Sequence, residues 1–235
     1  MGQRLKNQNV WTQRQNIQKG KPKRAEKQVN VRPLLLMACE GEQTEPNYLN
    51  AYLHELKVKH VVSARSYFIV PHEHTDPCGV LDDLLNYSKG GLKSSDFHRR
   101  WIFIDRDEIR TNEQSGHTKE NFNQALENAE RKNVKVAWSN PCFEIWFLLH
   151  FVYCCTPVDR ADLPEKIEPY IGKEYQKNSK EMFLVLREKI VDAIANARRL
   201  EEDCTEPPCD ANPMTTVHKF FEENNVATLK PDDCM

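Results

Sequence analysis

Between Pro33 and Thr156 the chain alternates short apolar runs with longer stretches whose apolar residues recur every three or four positions. "PLLLMAC" is wholly apolar and has the length of a buried strand. "TEPNYLNAYLHELK" follows as a helix, with Thr44 as N-cap, Pro46 in the first turn, and Tyr48, Tyr52, Leu53 and Leu56 at helical spacing. "SYFIV", "RWIFID" and "VKVAWS" read as three further strands. "DPCGVLDDLLNYSK" is a helix capped by Asp76 with Pro77 at its first position, and "HTKENFNQALENAERK" is a helix with a polar face. "NPCFEIWFLLHF" reads as a buried helix opened by Asn140 as cap and by Pro141. Apolar strands alternating with helices predict an α/β fold, a parallel sheet sandwiched by helices.

Beyond Thr156 the strand pattern stops. Residues 182–200 predict one long amphipathic helix and "MTTVHKFFEEN" a shorter one, with the loop "EEDCTEPPCDANP" between them. The organisation expected is therefore an arm over 1–32, an α/β core over 33–156, and a helical C-terminal extension over 157–235 packed on that core. No apolar run approaches the ~18–20 residues that span a bilayer.

Acids stand where strands end. Glu40-Gly41 follows the first strand, and Asp105 and Asp107 alternate at the end of the third, so their side chains leave on one side. Ligand sites of open α/β sheets form at the carboxyl ends of the strands. Three carboxylates converging there repel one another unless a cation is present, and hard oxygen ligands suit Mg²⁺ or Mn²⁺. Gly41 would allow a close approach beside Glu40. Acids also begin ordinary solvated loops, so the pattern by itself leaves both readings open.

Charge and cysteine usage refine the picture. The net charge is −2, but residues 1–32 hold nine Lys/Arg and a single acid, Glu26, which leaves 24 basic against 34 acidic residues in the remainder. Such an arm can follow phosphates, or serve as a solubilising tail. It has no apolar stretch of the kind a secretory signal needs, and a cytoplasmic location is expected. The eight cysteines include no C-x-x-C pair; reduced thiols fit better than disulfides or a structural zinc site. There is no G-x-x-x-x-G-K-[ST] loop for ATP and no G-x-S-x-G elbow for a serine hydrolase.

Glu40-Gly41 after one strand and Asp105-x-Asp107 after another resemble the TOPRIM domain of topoisomerases, primases and several nucleases. More specifically, "CEGEQTEPNYL", "FIDRDE", "SNPCFEIWFLLHF" and "NPMTTVHKF" resemble the RloB-like family of bacterial phage-defence loci, over about Leu34 to Phe221. The resemblance implies a TOPRIM-like, Mg²⁺-dependent (or Mn²⁺-dependent) nuclease, the effector subunit of an abortive-infection system. In it Glu40 would act as general acid/base or bridge to the metal, and Asp105 and Asp107 would hold it. It implies a nucleic-acid substrate, with DNA, RNA or tRNA left open, and an ABC/AAA-type ATPase partner encoded nearby. A homo-oligomer also stays open. The alternative is a non-catalytic adaptor of the same fold.

Other residues carry weaker signals. Glu144, among aromatic neighbours, either favours its helix N-terminus or completes the metal shell. Asn140 could contact substrate as well as cap. Glu45 belongs to the family motif and is a substrate-side candidate, while Glu42 suits the helix dipole. Lys177, in "YQKN", resembles a family position that contacts the scissile phosphate. His72 and His74 have H-x-H spacing; His150 reads as a satisfied core histidine, and His218 as a packing or capping residue.

Overall fold

The computed structural model describes residues 35–59, 67–106 and 117–224. The arm and Asp107 lie outside them. In chain order the first elements are β1 (Leu35–Cys39), α1 (Thr44–Val58), β2 (Tyr67–Ile69), α2 (Pro77–Asn86), and the hairpin strands β3 (Ser88–Lys89) and β4 (Leu92–Lys93). Then come β5 (Arg99–Asp105), α3 (Lys119–Arg131), β6 (Lys135–Asn140) and α4 (Glu144–Leu149). The C-terminal part supplies α5 (Leu163–Ile171), α6 (Met182–Leu186), α7 (Ile190–Asp203), β7 (Met214–Thr215) and α8 (Val217–Glu223).

The main sheet has the order β2-β1-β5-β6-β7. The first four strands are parallel, and β7 adds antiparallel to β6. All five residues of β1 are buried, as expected for a strand covered on both faces. The chain runs outward from β1 to β2, then crosses back over β1 to β5 and on to β6. Right-handed crossovers in opposite directions place their helices on opposite faces. Accordingly Phe122 of α3 meets Trp138 of β6, with α2 beside α3, whereas Phe220 of α8 meets Trp101 and Phe103 of β5 and, across the same layer, Tyr52 of α1. The reversal between β1 and β5 opens a crevice at their carboxyl ends, the usual ligand position in such sheets. The architecture is α/β with a mostly parallel sheet flanked by helices, consistent with a TOPRIM-like fold.

Several expectations need correction. A fifth strand comes from the C-terminal part: β7 pairs Ser139 with Thr215 and Asn140 with Met214, and the buried Trp138 N–H donates to Thr216 Oγ1 at 2.9 Å. The stretch 182–200 is not one helix. A 3-10 turn over Arg187–Lys189 separates α6 from α7, although buried Phe183, Leu186, Ile190, Ala193, Ala197 and Leu200 keep one apolar stripe across the break. No Pro or Gly marks that break. Thr44 is not the cap of α1 but its first residue, after Gln43, and Asn140 caps nothing, being the last residue of β6. Asp76 does cap α2, accepting from the Gly79 N–H at 3.1 Å, and Pro77 opens that helix. No helix is long and apolar enough to cross a membrane among the described residues.

Candidate functional site

Four carboxylates meet at the crevice. Glu40 is the residue after β1; its N–H donates to Phe103 O at 2.9 Å and carries the β1–β5 pairing one step further. That register sets its side chain beside Asp105, the last residue of β5, and Glu40 Oε2 accepts from the Asp105 N–H at 3.0 Å. Its other oxygen meets His117 Nε2 at 2.7 Å. Glu45 comes from the first turn of α1 and Glu144 from the start of α4. An aromatic cluster holds those two helices in place: Tyr48 packs against Phe143, Phe147, Phe183 and Phe221. Pairs of this kind are each worth about 0.5–1.5 kcal/mol beyond their buried area.

Gly41 has a specific reason to be glycine. Its N–H donates to Glu45 Oε1 at 3.2 Å, and a Cβ there would lie 2.1 Å from the other carboxylate oxygen of Glu45. The missing side chain lets Glu45 fold back over the strand end.

The acids are buried and crowded. Burial, with Glu144 and Glu40 nearby, pushes the Glu45 carboxyl up to about 7. Burial, then Glu45 and Glu40, raise Asp105 well above the ordinary carboxylate range, against the lowering effect of Arg160. Arg160 NH2 stands 3.8 Å from Asp105 Oδ2. Glu144 Oε1 accepts from the Tyr175 hydroxyl at 3.1 Å, and burial followed by Glu144 pushes that phenol upward. The cleft above them, about 580 Å³, is lined by Glu40, Glu45, Asp105, Glu144, His117, Arg160 and Lys177, among others. Lys177 is carried by a loop fastened to α1: Thr44 Oγ1 donates to Asn178 Oδ1, and Asn47 Nδ2 to Asn178 O, both at 2.8 Å.

Glu40, Glu45, Asp105, Glu144 and Lys177 are thus brought together; Asp107 lies outside the described residues. Asn140 does not line the cleft. It is buried, and its amide donates to Ala211 O at 2.6 Å, tying β6 to the loop before β7. His72 and His74 do not act as a pair: His74 Nδ1 meets Asp83 at 2.6 Å, while His72 Nδ1 lies 3.4 Å from Cys39 O. His150 is a core histidine between Tyr48 and Trp146 O, and His218 packs in the interior with Nε2 3.3 Å from Glu201. The described cysteines are all free.

His117, Arg160 and Tyr175 are site residues the sequence did not single out. His117 directly precedes Thr118, the cap of α3, and its carbonyl accepts from buried Arg106 at 3.0 Å. Tyr175 stands two residues before Lys177, which was the one local pointer to it.

An all-carboxylate donor set, crowded enough to raise two of its members, suits a hard divalent cation. Among the described residues no three His, Cys, Asp or Glu side chains are arranged around a single ion. Both oxygens of Glu40 are engaged, one by the Asp105 N–H and one by His117.

Comparison with curated proteins returns no match, and comparison with solved structures returns none. Residues 35–223 match the family model described as RloB-like protein, which is most of the chain; the protein belongs to the RloB-like family.

Proposed function

We infer that the protein is a divalent-metal-dependent nuclease, with Glu40 and Asp105 as its metal-binding residues, Glu45 and Glu144 beside them, and Asp107 in the adjoining segment. The observation that carries this reading is the convergence of four carboxylates at the switch point of a parallel sheet, faced by Arg160 and Lys177. Mg²⁺ or Mn²⁺, when bound, supplies polarisation of a phosphoryl oxygen and stabilisation of the leaving alkoxide.

The chain's own residues do the rest. Lys177 and Arg160 attract and orient the phosphodiester; Asp105 and Glu40 would hold the cation at the cleft floor. Glu40, hydrogen-bonded to His117, is placed to hold or pass a proton at its Oε1. Tyr175 keeps Glu144 turned toward the cleft. The family context extends the reading to an effector of anti-phage defence working with an ABC/AAA-type ATPase.

The test is nucleolysis of RNA, tRNA and DNA by the full chain with Mg²⁺ or Mn²⁺, against Asp105→Asn and Glu40→Gln. Both variants should lose activity by about a hundredfold or more, as removal of a preorganised electrostatic group commonly does. Asp105→Asn should melt no lower than wild type, because it removes one charge from a repelling set. Wild-type protein that binds nucleic acid or the ATPase but never cuts, with or without metal, would favour the adaptor instead.

A further inference from the structure

Between α5 and α6 the stretch "QKNS", residues 176–179, bends through a β-turn closed by the Ser179 N–H, which donates to Gln176 O at 3.2 Å. Asn178, the third residue of that turn, has φ +68°. A type II turn needs a positive φ at this position, which Gly and Asn adopt with least strain. Glycine would satisfy the backbone alone. Asparagine adds a side chain, and here that side chain has a partner on α1. Its Oδ1 accepts from the Thr44 hydroxyl at 2.8 Å, and its carbonyl accepts from Asn47 Nδ2 at the same 2.8 Å.

Helix α1 is a firm support, because Tyr48, Leu49, Tyr52 and Leu53 seat it in the core. Its first turn also carries Glu45, so the 176–179 turn and a cleft carboxylate are referenced to one element. On the other side of the turn, the Tyr175 N–H donates to Glu168 Oε1 at 3.0 Å and its hydroxyl to Glu144 Oε1 at 3.1 Å. Lys177 stands between these two attachments, exposed and lining the cleft. With the backbone beneath it already fixed, capture of an anion has to order only the lysine's own side chain.

We propose that Asn178 is a positioning residue for nucleic-acid binding: its bond to Thr44 locks the 176–179 turn onto α1 and so holds Lys177 at the cleft for a backbone phosphate. This rests on the nuclease reading for the identity of the ligand. It adds the Asn178–Thr44 pair as the device that sets the lysine.

The experiment uses the full chain as wild type, Lys177→Gln, Asn178→Gly, Thr44→Val, Thr44→Ser and the double variant Thr44→Val/Lys177→Gln. Thermal melting confirms folding. Binding of fluorescent single-stranded RNA and duplex DNA is read in Ca²⁺ over a range of salt, and cleavage by wild type in Mg²⁺ or Mn²⁺. Lys177→Gln should bind the preferred oligonucleotide about tenfold more weakly, the scale of one charge-assisted hydrogen bond. Its slope of log K against log[salt] should be shallower by about 0.9 on duplex DNA or about 0.7 on a single strand. Asn178→Gly keeps the backbone of the turn but loses the bond to Thr44, and Thr44→Val removes that bond from its other end. Each should bind roughly three- to fivefold more weakly and show part of the same slope change. Thr44→Ser keeps the hydroxyl and should stay within about twofold of wild type. In the double variant the losses should not add, and binding should fall within about twofold of Lys177→Gln alone.

Wild-type binding in both Asn178→Gly and Thr44→Val overturns the positioning role, and so does wild-type binding in Lys177→Gln. Losses that add fully in the double variant also overturn it, because the bond would then act on the fold and not through Lys177. If wild type cuts and all the variants bind as it does, the nuclease reading stands and this proposal alone falls. If wild type binds without cutting and the variants weaken as expected, the proposal stands and the nuclease reading gives way to the adaptor. Absence of nucleic-acid binding in the wild type removes both.

Discussion

Single residues in this protein are set by what they face, and two buried ionisable groups illustrate it with opposite signs. Glu45 lies among other acids, so its raised folded value favours stability at low pH, and that contribution is lost as pH rises toward about 7. His150 lies in the aromatic core between Tyr48 and Trp146, and burial lowers it to about 3. Its neutral form is the folded one, so its contribution is complete above the unfolded value of about 6.5 and drains away as pH falls toward 3. His150→Gln, which retains polar atoms for both neighbours, should remove that dependence. Between pH 7 and 5, wild type should lose about 2 kcal/mol more stability in urea unfolding than the variant does. The opposing effect of the acids is common to both proteins and cancels in this difference. Parallel losses in the two proteins would mean that His150 takes up its proton in the folded protein as readily as in the unfolded chain. Its core role was legible from its place one helical turn after Trp146. The need for Gly41 was legible only as a close approach; that Glu45 fills the space could not be read without the fold.

At the level of elements, legibility followed range. Strands β1, β5 and β6 and helices α1, α2 and α3 each carry their own apolar period, and Asp76 and Pro77 mark the start of α2 locally. Strand β7 has two residues and no period; it is strand because β6 offers an open edge, and that edge is created by residues far away in sequence. The hairpin of β3 and β4 turns through Gly90 and Gly91, both at positive φ, but its strands are too short for alternation to show. His117 and Arg160 were missed for the same reason: His117 is 77 positions from the Glu40 it contacts. Asn140 was misread because Asn before Pro is a common helix opening, whereas here β6 runs through it and its amide spans 71 positions to Ala211. Its role is therefore structural. Asn140→Ala leaves the Ala211 carbonyl without its donor, a cost of about 1–3 kcal/mol. The turnover number of any nuclease activity, measured well below the melting temperature, should stay within about twofold, since a truncation that touches no reacting atom leaves transition-state binding intact. Normal stability with a collapsed turnover number would return Asn140 to the substrate.

For the whole molecule, the proposed nuclease function raises the question of how a protein of net charge −2 would approach a polyanion. Without residues 1–32 the remaining chain has ten more acidic than basic residues, and its cleft floor is itself carboxylate. Arg160 and Lys177 act at short range and cannot offset that excess beyond a Debye length of about 8–10 Å. On the proposed reading, long-range attraction comes from the nine Lys/Arg of the arm or from the proposed ATPase partner. These alternatives separate in one measurement. If the arm follows phosphates, deleting residues 1–32 should weaken nucleic-acid binding and flatten its salt dependence. For every phosphate the arm neutralises, the slope of log K against log[salt] should become shallower by about 0.9 on duplex DNA and about 0.7 on single strands. Cleavage at saturating substrate should persist, because Glu40 and Asp105 belong to the sheet and not to the arm. If the arm instead docks an acidic face of the ATPase, the salt slope of the isolated protein stays as it was and co-purification with the ATPase is lost. A deletion that changes neither would leave the arm as a solubilising tail.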